Sequence, residues 1–147
     1  FSTELPETEN TSYILSAEIL DEAGEVEDTL LGWVYVPSQE MNVSLSLDKD
    51  HYKRSDESAT LIVNNAGPTI LTFGTYYTVE IRKDNEWLRV PLDYFFEDIG
   101  LMLQPGNTYE QNVDISKLRK GHYRIVKELR ADGTDLRAEL AAEFRVE

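Results

Sequence analysis

From residue 41 onward, apolar and polar positions alternate with a period of two. Val43, Leu45 and Leu47 alternate with Ser44 and Ser46, the pattern of a strand with one face buried. A polar loop is expected over 48–57. Ala59, Leu61 and Val63 then repeat the alternation, and Asn64-Asn65-Ala66-Gly67-Pro68 breaks it. Ile70 to Phe73 is a short apolar piece closed by Gly74, where a positive φ is expected as the chain turns. Tyr77, Val79 and Ile81 alternate with Thr78, Glu80 and Arg82. Asp84-Asn85 follows, and Trp87 to Val90 returns before Pro91, so the pair reads as a hairpin. Tyr94 to Leu103 is irregular, and Gln104-Pro105-Gly106 marks a turn. Tyr109, Gln111, Val113 and Ile115 form the next strand, 117–121 a loop, and His122 to Arg130 another strand. The last strand is the cleanest, with Ala138, Leu140, Ala142, Phe144 and Val146 on one face. Lys127 breaks the pattern, because strict alternation from Tyr123 and Ile125 points it inward; a β-bulge is expected to re-aim it.

About seven strands in roughly a hundred residues, with close turn signals and no long helical period, predict an all-β fold. The expected architecture is an antiparallel two-sheet β-sandwich of immunoglobulin-like arrangement over residues 41–147. Ahead of it lie two further apolar stretches, Tyr13 to Leu20 and Leu30 to Pro37, separated by an acidic loop containing Gly24. They predict a β-hairpin within an acidic extension, 13–40. Residues 1–12 are rich in Ser, Thr, Glu, Pro and Asn. They carry too little apolar area to offset ordering entropy, so a flexible leader is expected there.

Charge sharpens this division. The 147 residues carry a formal net charge of −14. Residues 1–40 hold ten acids and no Lys or Arg, whereas 41–147 hold eighteen acids and all fourteen bases. A chain this acidic repels phosphate backbones and anionic membranes, which argues against nucleic-acid binding. There is no cysteine. Disulfides, cysteine-ligated metals and thiol nucleophiles are therefore excluded, and packing alone is expected to join the two sheets. No apolar run is long enough to cross a bilayer as a helix.

Several of these features, in this order and spacing, resemble bacterial immunoglobulin-like domains of secreted and lipid-anchored Gram-positive proteins. They are Asn64-Asn65, Phe73-Gly74, Tyr77-Thr78-Val79-Glu80, Trp87 with Val90-Pro91, and Leu103 with Pro105-Gly106. Gly121-His122-Tyr123-Arg124-Ile125 and Ala142-Glu143-Phe144-Arg145-Val146 complete the set. The resemblance spans about 43–147. It implies a non-catalytic module at the cell surface or outside the cell, with the leader as a tether following a removed export signal and, in some such proteins, a lipid anchor. It brings no active site. Tyr123 is placed like the corner tyrosine of sandwich folds, and Trp87 is expected to bury its indole.

The search for chemistry is brief. His51 and His122 are isolated, with no metal-ligand spacing. Asp48, Asp50, Asp56 and Glu57 crowd one loop, and Asp93, Glu97 and Asp98 another, but the calcium-loop pattern is absent. No nucleophile elbow, P-loop or dinucleotide fingerprint occurs. No metal, cofactor or catalytic residue is assigned. One surface feature stands out, the concentration of bases from Lys117 to Arg130. Lys117, Arg119, Lys120 and Arg124 are the candidate binding residues, for an acidic protein, a cell-wall component or the acidic N-terminal segment itself. Three functions follow from this reading. The first is a binding or spacer module. The second is a proteinase inhibitor acting through Asn65 to Thr72 or Pro91 to Leu101. The third is a hydrolase using the loop carboxylates.

Overall fold

The computed structural model describes residues 2, 4, 6 and 8–147. The chain forms two compact units, 1–39 and 40–147. Among the described residues there are twelve strands and no helix.

The first unit is a two-stranded antiparallel hairpin, β1 (Thr11–Leu20) and β2 (Val26–Val36). Asp21 closes its loop, its Oδ1 accepting the amides of Ala23 at 2.8 Å and Glu25 at 2.9 Å. Gly24 takes the positive φ of 85° that the turn requires. Thr11 and Ser12 pair with Val36 and Tyr35 and so belong to β1, which shortens the expected leader. That leader falls partly on residues 1, 3, 5 and 7, outside the described residues. Cross-strand partners share a face. One face therefore carries Ile14, Trp33, Leu31 and Tyr35, and the other carries Leu15, Leu30 and Ile19. All seven are exposed, Ile14 by 75% and Trp33 by 69%.

The second unit is the sandwich. β3 (Val43–Leu47), β5 (Ser58–Asn65) and β10 (Thr108–Asp114) form one sheet in the order β10-β5-β3. The other sheet is built on the long β11 (Gly121–Ala131), which pairs along its whole length with β12 (Arg137–Val146). On its far side β11 pairs first with β7 (Thr78–Lys83) and, further along, with β6 (Leu71–Gly74). β8 (Glu86–Arg89) extends β7, and β9 (Gly100–Leu103) extends β6. The β7–β8 turn has positive φ at both Asp84 (48°) and Asn85 (67°), the backbone of a type I′ hairpin.

Two features depart from the sequence reading of this unit. The 48–57 stretch is not wholly loop. His51–Tyr52 forms β4, pairing parallel with the end of β12, so the sandwich is not strictly antiparallel. Tyr52 is 1% exposed, a core residue inside a polar stretch. Its hydroxyl donates to Asp48 Oδ1 at 2.6 Å, and the Thr60 amide donates to the same oxygen at 2.7 Å. Burial pushes the Asp48 carboxyl up, yet these hydrogen bonds outweigh it and hold the group below its usual range. The second departure is Trp87. It lies on the outer face of the sheet, partly buried, its ring 4.6 Å from the Arg124 guanidinium and 5.3 Å from the His122 ring.

Lys127 gives the larger correction. The β11–β12 register runs unbroken through Lys127 and Leu140, with no bulge, and the side chain points inward, 1% exposed. The reason lies in the gap between its neighbours. β7 pairs with β11 at residues 123–126 and β6 pairs at 130–131. Where one strand hands over to the other, the carbonyls of residues 74–76 leave the ladder. Lys127 Nζ donates to Gly74 O at 2.7 Å and Tyr76 O at 3.1 Å. Gln111, from the opposite sheet, donates to Thr75 O at 2.7 Å and accepts from Lys127 Nζ at 3.2 Å. Gly74 is not in the positive-φ region; its carbonyl is what matters.

This bridge divides the core. Leu61, Val79, Val113, Tyr123, Ile125 and Phe144 belong to a larger apolar cluster, while Val63, Leu71, Phe73, Leu103 and Leu129 form a smaller one. The sheets are therefore joined by packing and by a polar crossing. Each fully buried Leu, Ile or Phe contributes about 1.5–3 kcal/mol. A buried ammonium contributes only if its donors are satisfied, and all three are here.

Burial pushes the Lys127 pKa down to about 8. The unfolded chain, with an ordinary lysine, then holds more protons than the folded one above pH 8, so stability rises with pH. Read as the difference between the wild type and Lys127→Met in urea titrations, so that the buried tyrosines titrating in the same range cancel, this gain is expected to reach about 2 kcal/mol between pH 8 and 10. The Lys127→Met variant is expected to lose that slope and to be less stable at pH 7 by about 1–3 kcal/mol, because three acceptors lose their donor. Removing residues 1–39 is expected to leave cooperative unfolding of the sandwich intact, as read by the same titration.

Candidate functional site

The β10–β11 connection, residues 115–120, carries three of the four candidate binding residues. Two anchors hold it rigid. Leu118 is 5% exposed in the core, and its amide donates to Ile115 O at 2.9 Å. The Tyr123 hydroxyl donates to Arg119 O at 2.8 Å, the corner bond expected of this tyrosine. Gly121 is required beside it, since a Cβ there would sit 2.9 Å from the Tyr123 ring.

With its backbone pinned, the connection turns Lys117, Arg119 and Lys120 toward a groove of about 780 Å³. Lys83 and Arg89 of the β7–β8 hairpin line the same groove, and Ile81, Leu88, Val90, Leu92, Leu118 and Tyr123 form its apolar part. No acid lines it. Among the described residues none of these five bases is in a salt bridge. Arg89 donates to the Tyr76 hydroxyl at 2.8 Å. Lys117 lies near Asp114, whose carboxyl is held below the usual range chiefly by hydrogen bonds from Ser116, with the Lys117 charge adding to them.

Arg124, the fourth candidate, is elsewhere. Its Nε donates to Glu80 Oε2 at 2.6 Å and its guanidinium stacks on Trp87. Arg130 is paired with Glu128 at 2.8 Å, and Lys127 is the core residue described above. The run of bases thus splits into a groove group, a sheet-face group and a buried one. Lys83 and Arg89 escaped the sequence reading because they lie about thirty residues upstream of the loop they face. Only the hairpin pairing of β7 with β8 brings them there.

The other chemical candidates stay scattered. His51 contacts Asp50 at 3.0 Å and His122 contacts Glu143 at 2.9 Å. His122 is 18% exposed on its side chain. No group of three metal-ligating side chains converges among the described residues. Asp93 lines a groove of about 380 Å³ with Tyr77, Arg89 and Tyr94, without Glu97 or Asp98. Asp98 lines a different groove with Glu128, which Arg130 already engages. Five cations around an apolar floor can hold an anionic, partly apolar ligand.

A family model described as a bacterial Ig-like domain matches residues 39–145. The chain belongs to this family of immunoglobulin-like sandwich domains. No curated protein matches it. Among solved structures, the chain is similar to the archaellum periplasmic stator protein FlaG from Sulfolobus acidocaldarius, with 14% identity and a TM-score of 0.42. The alignment covers 70% of this chain and all of that one. A likeness so distant has no bearing on function. No helix among the described residues is long and apolar enough to cross a membrane.

Tyr123→Phe, which removes only the corner hydroxyl, is expected to cost about 1 kcal/mol of unfolding free energy. It is also expected to speed amide hydrogen exchange at Leu118.

Proposed function

We propose that this chain is a non-catalytic binding module of a bacterial surface or secreted protein, and that the groove between the β7–β8 hairpin and the 115–120 loop is its binding face. The observation that carries this reading is that Lys83, Arg89, Lys117, Arg119 and Lys120 line one groove with an apolar floor and that none of them is in a salt bridge among the described residues. Glu86 and Glu80 face Lys83 and Arg89 across the hairpin and Asp114 lies near Lys117, so the excess positive charge rests chiefly on Arg119 and Lys120, and an anionic ligand would balance it. The apolar floor favours an acidic protein segment over a wall polyphosphate, because a polyphosphate has no apolar surface to bury there. Family membership supports the extracellular setting and a role in recognition rather than catalysis. In this reading residues 13–40 are an acidic extension ahead of the module and the residues before them a tether.

A fluorescein-labelled dodecapeptide of repeating leucine, glutamate and aspartate tests the reading by fluorescence anisotropy. Binding is expected to weaken at least tenfold when Lys117, Arg119 and Lys120 are all changed to Glu, and to weaken as salt rises. Equal binding by the triple variant, or tighter binding of polyphosphate than of the peptide, overturns it.

A further inference from the structure

The segment between β8 and β9 is irregular by hydrogen bonding yet regular in shape. Over 91–97 its residues alternate outward and inward without interruption. Leu92, Tyr94 and Phe96 pack against the larger core cluster. Tyr77 lies between the last two, 5.6 Å from the Tyr94 ring and 4.9 Å from the Phe96 ring. The Tyr94 hydroxyl donates to the Asp114 carbonyl, and Thr75 Oγ1 donates to Glu97 O at 2.7 Å. Both ends are thus fastened to the sandwich.

Between those anchors Phe95 points straight out, 93% exposed, the most exposed of the large apolar side chains. The main-chain amides of 93–98 have no hydrogen-bond partner among the described residues. The segment is therefore an extended strand with a free backbone edge, a period of two and one aromatic side chain at its crest. An edge of this kind pairs with another backbone, and its outward side chains fill pockets at alternate positions. An aromatic anchor held on a rigid frame is the usual core of a binding hot spot.

We infer that residues 91–97 form an inhibitory strand for an endopeptidase whose primary pocket accepts an aromatic side chain. Phe95 fills that pocket, and the free amides and carbonyls beside it pair with the walls of the cleft. Leu92, Tyr94 and Phe96 remain in the sandwich core, which keeps the strand from relaxing into the geometry needed for cleavage. No bond is made or broken; the complex is held by the pocket and the backbone pairing. Of the two loops that sequence alone offered for this role, Asn65 to Thr72 is excluded by its own packing. Asn65 is 0% exposed, its Nδ2 donating to Thr69 O and Leu103 O and its Oδ1 accepting the Gly67 amide, so that loop is tied inward. This inference does not depend on the basic groove: the two share Pro91 and Leu92, but Phe95 and the free amides of 93–98 lie outside the groove's lining.

The full chain incubated with bovine α-chymotrypsin, with trypsin in parallel, tests it. Dose-dependent inhibition of chymotrypsin is expected, with trypsin unaffected and the chain intact by mass spectrometry after hours. Phe95→Ala is expected to weaken inhibition at least thirtyfold and Phe95→Tyr to retain it. Phe95 makes no core contact, so unchanged circular dichroism of both variants is the expected check on folding. Absence of inhibition, equal inhibition of trypsin, equal inhibition by Phe95→Ala, or rapid cleavage after Phe95 each overturns the proposal.

Discussion

The structure depends on how one lysine is accommodated in the middle of the core. β11 is the spine of the larger sheet, and two shorter strands share its far edge. A shared edge needs a handover, and a handover leaves three consecutive carbonyls without ladder partners. An apolar residue at position 127 would take away the donor that two of them share, at a cost of about 1–3 kcal/mol. Lys127 reaches those two and Gln111 takes the third, while the two side chains also meet each other. In the absence of cysteine this crossing is the central one of the polar ties between the sheets, beside the Asn65 bond to Leu103 O and the Asp48 carboxylate shared by Tyr52 and Thr60. It costs the protein a buried ammonium and fixes where β6 ends and β7 begins.

That constraint positions the candidate binding surfaces. The β7 strand it sets in place carries the β8 hairpin, and with it Lys83 and Arg89 of the groove. The same handover places Tyr77 between the rings of Tyr94 and Phe96, which in turn hold the 91–97 strand with Phe95 outward. On the opposite wall of the groove, the corner bond of Tyr123 and the burial of Leu118 keep the backbone of 115–120 in place while its basic side chains face the groove. Both surfaces are thus built from side chains fixed by the core.

Much of this was legible in the sequence, for physical reasons that differ by element. Strands β3, β5, β7, β10, β11 and β12 each have one wet face, so their period of two is plain. Asp84-Asn85 announced its turn because both residues tolerate positive φ. What escaped detection was set by partners distant in the chain. Tyr52 reads as part of a polar loop because its strand is two residues long and its burial comes from Phe144, on β12. Lys127 looked like an error in alternation, and only the pairing of β6 and β7 along one edge shows it to be a requirement. The 91–97 strand has the right alternation, but acids at its outward positions and the lack of a ladder partner disguised it. The basic loop was visible as a run of charge. Its division among groove, sheet face and core was not, since alternation along β11 sends Arg124 and Lys127 to opposite faces.

The crossing between the sheets is most directly tested by a double-mutant cycle on Lys127→Met and Gln111→Leu, with unfolding free energies measured in urea at pH 7. A shared polar tie predicts that the double variant loses less stability than the two single variants together, with a coupling of about 1–3 kcal/mol. Additive losses would contradict it, showing that the two side chains act separately and form no shared tie.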